Sequence, residues 1–67
     1  MHQNTISVGK FLVTPLTRQT DHGDYAASVS LRRGAHDRVF RFVPRFQSPV
    51  TAARYAEAEG RRLAMQN

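Results

Sequence analysis

Apolar and polar residues alternate along the first two thirds of this chain, and the period changes once, near Ser48. Residues 24–32 carry the clearest pattern: Tyr25, Ala27, Val29 and Leu31 share one parity, while Ala26, Ser28, Ser30 and Arg32 share the other. Successive side chains of a strand point to opposite faces, so this spacing predicts a half-buried strand. Residues 5–14 form a β-rich run (Ile6, Val8, Phe11, Leu12, Val13) that is apolar on both parities. It reads as one strand of ambiguous inward face; Phe11 and Val13 inward, with Lys10 and Leu12 outward, is the choice adopted. Residues 38–43 give a third strand, with Phe40 and Phe42 on one face and Arg41 on the other, in parity with Arg45. Pro44 cannot donate to a ladder and is expected to end it.

The connections suit antiparallel hairpins. Pro15 to Gly23 is rich in Thr, Asp and Gly, and Arg33 to Asp37 is a short link with Gly34 available for positive φ. Ser48 then offers an N-cap and Pro49 a first helical residue, so a helix is expected over about 49–65. Its apolar side reads Ala52, Tyr55, Ala56 and Leu63, flanked by Ala53 and Gly60, while Arg54, Glu57, Arg61 and Arg62 face water. Gly60 costs about 1 kcal/mol against Ala inside a helix. It signals either a close helix-to-sheet approach or an early helix end. The expected fold is α+β, a three-stranded antiparallel meander packed on one C-terminal helix, in a single domain spanning 1–67. The expected core is Tyr25, Val29, Leu31, Phe40, Phe42, Phe46, Tyr55 and Leu63.

A chain of 67 residues buries only about 60% of its unfolded surface. No cysteine staples this thin core, so self-association through the first strand or outer apolar residues is expected to add stability, as a homodimer. The absence of cysteine fits a cytoplasmic location. Met1-His-Gln-Asn-Thr has no basic flank and the nearest apolar run is Phe11-Leu12-Val13, which argues against a leader or a membrane segment.

Charge changes the picture more than size does. The formal net charge is +5, and residues 31–45 hold five arginines against one aspartate. GC-rich coding would explain why arginine dominates, but not why it clusters. On the strand pattern above, Arg32, Arg41 and Arg45, joined by Lys10, form a cationic outer face with Ser28 and Ser30 as small hydrogen-bonding neighbours. Planar guanidinium forks match phosphates and guanine edges, so the expected partner is nucleic acid, with these six residues as contacts. Duplex DNA is favoured over RNA, because no aromatic residue interrupts this face to stack bases. Leu12, Val39 and Val43 share the face, which keeps open an alternative as a protein-interaction or homodimerisation module.

Other chemistry is not expected. Asp21, His22 and Asp24, and likewise His36 and Asp37, lie in turn-like segments, where Asp serves backbone geometry, and the three histidines show no metal-ligand spacing. Ser28, His22 and Asp24 make a triad only on paper, since no nucleophile motif surrounds any serine. Neither an enzyme nor a metal, cofactor or small-molecule substrate is anticipated.

At the strand-to-helix junction, Phe46-x-Ser48-x-x-x-Ala52-x-x-Tyr55 resembles the end of the arm-binding domains of tyrosine recombinases and the related AP2-type domains, over residues 24–58 at most. The resemblance implies three antiparallel strands lying in the major groove by their outer face, with a helix behind them and Arg32, Arg41 and Arg45 as contacts. Thr51 stands where that family often has an acidic residue. The chain also looks like short, stand-alone bacterial proteins, a resemblance that implies no activity.

Overall fold

The computed structural model describes residues 5–66. Residues 1–4, on which the reading of the N-terminus rests, lie outside them. The elements run β1 (Ile6–Val8), β2 (Phe11–Gln19), β3 (Tyr25–Arg33), β4 (His36–Phe46) and α1 (Pro49–Met65). The strands form one antiparallel sheet in the order β1-β2-β3-β4. The α+β class and the helix limits agree with expectation. Among the described residues the strand count is four, not three.

The extra strand comes from the run that was apolar on both parities. Gly9 and Lys10 form a two-residue turn, with Gly9 at φ 60°, which is what a type II′ hairpin asks of its first central residue. Reversing the chain over two residues switches parity, so Ile6 pairs with Val13, Val8 with Phe11, and all four share one face. Lys10 is therefore a turn residue, not an outward strand residue. Gly34 repeats the device at φ 59° in the Gly34-Ala35 turn between β3 and β4.

β2 also runs further than Pro15, to Gln19. Among the described residues β1 pairs only as far as Val13, so Pro15 lies beyond that ladder, a position that tolerates the missing N–H. β4 likewise continues past Pro44 through a bulge. Ala26 pairs with Arg45 but Ser28 pairs with Arg41, which places Phe42, Val43 and Pro44 opposite Ala27 alone. Two added residues preserve parity, so Phe40, Phe42 and Phe46 all face the helix side.

The helix begins as the sequence directs. Ser48 Oγ accepts from the Thr51 N–H at 3.1 Å and Pro49 opens the first turn. Ala52, Ala56, Gly60 and Ala64, four residues apart, make its buried stripe, and they meet Val13, Ala27, Val29 and Leu31 of the sheet. A Cβ on Gly60 would stand 2.6 Å from Val13 Cγ1 and 2.7 Å from Val29 Cγ2, so this glycine marks a close helix-to-sheet approach and no helix end. The fully enclosed core is smaller-residued than expected. Of the anticipated core only Val29 and Leu31 are buried, and the aromatic residues and Leu63 pack half-buried around its rim. Tyr55 holds the helix to β4 there, edge-on to Phe42 at 5.3 Å and tilted against Phe46 at 5.1 Å.

Candidate nucleic-acid interface

With the helix on one side, the sheet presents its other face as four cross-strand rows over β2, β3 and β4. In order they are Leu12, Arg32, Asp37; Thr14, Ser30, Val39; Leu16, Ser28, Arg41; and Arg18, Ala26, Arg45. Small residues of β3 form the middle of each row but the first, and larger side chains of β2 and β4 rise on either side. A shallow trough results, lined at one end by Leu16, Arg18, Ser28, Arg41 and Arg45.

The two ends of the trough differ in charge. At the Arg18 end, neither Arg18 nor Arg41 has a hydrogen-bond or ion-pair partner among the described residues. Arg45 folds back along its strand, and its Nη1 donates to the carbonyls of Val43 at 3.0 Å and Phe42 at 3.5 Å. That bond steadies the bulge and fixes the guanidinium, whose remaining donors stay available. At the other end Asp37 accepts from Ser30 Oγ at 2.6 Å and stands across from Arg32, whose Nε points to the Gly34 carbonyl at 3.4 Å. Anionic and cationic groups offset each other there.

The six expected contact residues are thus divided. Ser28, Arg41 and Arg45 come together at the cationic end, Ser30 and Arg32 share the end that holds Asp37, and Lys10 stands apart in the β1-β2 turn. Arg18 joins the cationic end although the sequence placed it in a loop. Continuing the alternation of Leu12, Thr14 and Leu16 past Pro15 would have found it. The arginine-rich segment itself divides between faces: Arg33 and Arg38 pair in register with His36 and Leu31 on the helix side, leaving Arg32, Arg41 and Arg45 on the outer side.

Two of the helix arginines are differently engaged. Arg61 Nε binds Glu57 at 3.3 Å, and Arg62 bonds to Glu59, whose hydrogen bond and charge raise the guanidinium pKa further above its ordinary value. The histidine-bearing loop serves local geometry, since Thr20 Oγ1 donates to the Asp24 carboxylate and accepts from the His22 N–H. Among the described residues no group of three or more His, Cys, Asp or Glu is placed to hold a metal ion, and no helix is long and apolar enough to cross a membrane.

Comparison with protein-family models, with curated proteins and with solved structures finds no match to this chain.

Proposed function

We propose that this chain is a small nucleic-acid-binding domain that lays the outer face of its sheet along duplex DNA. The observation that carries the reading is the cationic end of the trough, where Arg18, Arg41 and Arg45 surround Ala26 and Ser28 with no carboxylate partner among the described residues. Three strands spaced about 4.8 Å apart span about 10 Å, within the roughly 12 Å width of the major groove. The small β3 residues let the backbone approach closely. Arg18 and Arg41 then supply forks for phosphates or guanine edges, Arg45 contributes its free donors, and Ser28 hydrogen-bonds between them. Lys10 reaches a flanking phosphate from its turn, while Asp37 limits the contribution of Arg32 and Ser30.

The likeness to recombinase arm-binding and AP2-type domains belongs to this proposal, with β2, β3 and β4 as the three groove strands and β1 as an addition. The test is an NMR titration of labelled protein with duplex DNA at two salt concentrations. Shifts should concentrate on Arg18, Ser28, Arg41 and Arg45 and weaken at high salt. Shifts confined to the helix, or none at low salt, would reject the reading. Self-association that is lost on Leu12→Asp or Val39→Asp, without any DNA response, would instead make the face a homodimer surface.

A further inference from the structure

On the helix side of the sheet, α1 lies mainly across β2 and β3 and touches β4 less. The turn end of β3 and β4 is left partly uncovered. An open groove there is lined by Phe11, Leu31, Arg33, His36, Arg38 and Phe40. Leu31 is buried at its base, while Phe11 and Phe40 are half-exposed. Phe40 precedes the bulge and, among the described residues, makes no ring contact of the kind that occupies Phe42 and Phe46.

The cations around these rings are as informative as the rings. Arg33 holds its guanidinium 5.9 Å from the centre of the Phe11 ring, within cation-π range. Arg38, two residues from Phe40 on the same face, is exposed and without an ion-pair partner among the described residues. The acid beside it in sequence, Asp37, is bound to Ser30 on the opposite face. Half-exposed rings beside guanidinium groups that have no ion-pair partner among the described residues suit a ligand that is planar and apolar at one part and anionic at another.

We infer that this groove binds an unpaired nucleotide of single-stranded nucleic acid, with its base stacked on Phe40 and its phosphate held by Arg33 and Arg38. Base-aromatic stacking beside a cationic track is the general mode of single-strand binding, and every base offers a ring face. Leu31 supplies the apolar floor under the base. The stacked Phe11 and Arg33 form the wall facing Phe40, and His36 closes the turn end. Duplex bases, being stacked on each other, cannot enter, so the groove is distinct in ligand and in location from the outer face. It does not rest on the duplex reading.

The test is a titration of the full chain with a fluorescent oligothymidylate, followed by NMR, with thymidine monophosphate and inorganic phosphate as separate arms. The amides of Phe11, Arg33, Arg38 and Phe40 should shift, and Arg38→Ala should weaken binding by at least about fivefold. Arg62→Ala, whose guanidinium is paired with Glu59 on the helix, should change it less than about twofold. Phe40→Leu keeps an apolar side chain and should lose affinity while its circular dichroism stays native; if it fails to fold, Arg38→Ala alone decides. Binding of thymidine monophosphate at the same residues also supports the site, with a free nucleotide as its source. Shifts confined to the outer face, equal affinity for inorganic phosphate, or full affinity in Arg38→Ala would overturn it.

Discussion

Gly60 of the helix rests on Val13 of the sheet, and a Cβ there would stand 2.6 Å from Val13 Cγ1 and 2.7 Å from Val29 Cγ2. Both valines are wholly buried and their branched side chains have little freedom to rotate away. The helix can come this close because its inner stripe is Ala, Ala, Gly, Ala.

Gly60→Ala should therefore destabilise the protein even though alanine is the better helix former by about 1 kcal/mol. Overpacking in a filled core costs about 1 to 3 kcal/mol, which outweighs that gain. Urea unfolding would show a lower midpoint. In a Val13→Ala background the same change should cost less, and additive effects of the two substitutions would contradict direct contact.

How far the sequence discloses this arrangement differs from element to element, for physical reasons. β3 and α1 are legible because each buries one face only: alternation marks Val29 and Leu31, and Ser48-Pro49 marks the helix start. The first hairpin is hidden because its turn is two residues long, so Ile6 and Phe11 look like opposite faces of one strand until the chain is folded back. Pro15 and Pro44 look like strand ends, yet each stands where a missing N–H is tolerated, one beyond the described β1-β2 ladder and the other in the β4 bulge. The same misreading of Pro15 removed Arg18 from the candidate site. Asp37 looked like a turn residue because strand pairing up to the last two turn positions leaves no local trace.

The cap is a separate test of the helix start. Ser48→Ala removes the acceptor for the Thr51 N–H and should cost about 1 kcal/mol. Ser48→Asp should retain most of the stability. Thermal unfolding followed by circular dichroism distinguishes the two, and equal loss in both variants would show that the cap contributes through something other than its oxygen.

Adjacent residues of β4 should separate binding from folding. Arg41 is exposed and unpaired among the described residues, so Arg41→Ala should leave stability within about 0.5 kcal/mol. Its loss should weaken DNA binding, by about 1 to 3 kcal/mol at selected sequences if it reads a base, or evenly across sequences if it contacts phosphate. Phe42→Ala removes the edge-on partner of Tyr55 and should unfold the protein more readily, at a cost somewhat below the about 3 to 5 kcal/mol of a fully buried ring. The reverse outcome, an unfolded Arg41→Ala beside a native Phe42→Ala, would invert the assignment of faces.

Asp37 gives the opposite sign. Its carboxylate accepts from Ser30 at 2.6 Å on the proposed DNA face, where it repels phosphate. Asp37→Asn keeps an oxygen for that hydrogen bond and removes the charge, so duplex affinity should rise severalfold at low salt with stability nearly unchanged. Unchanged affinity would mean that this end of the sheet makes no approach to the DNA backbone, and a fall would mean that Asp37 is itself a contact.

Salt dependence counts the contacts. Each phosphate neutralised on duplex DNA releases counterion, with a log-log slope of about −0.9. If Arg18, Arg41 and Arg45 each meet one phosphate, duplex affinity should fall with a slope of about −2.7, steeper by about −0.9 if Lys10 reaches a flanking phosphate. Arg18→Ala should reduce the magnitude of the slope by about 0.9, whereas Arg62→Ala, whose guanidinium is paired with Glu59 on the helix, should leave it unchanged. Fluorescence anisotropy of a labelled duplex across a salt series measures all three proteins. Arg18 is the most exacting member of the set, because only the continuation of β2 past Pro15 puts it on the same face as Arg41 and Arg45. An unaltered slope in Arg18→Ala would remove β2 from the interface and leave β4 to carry it alone.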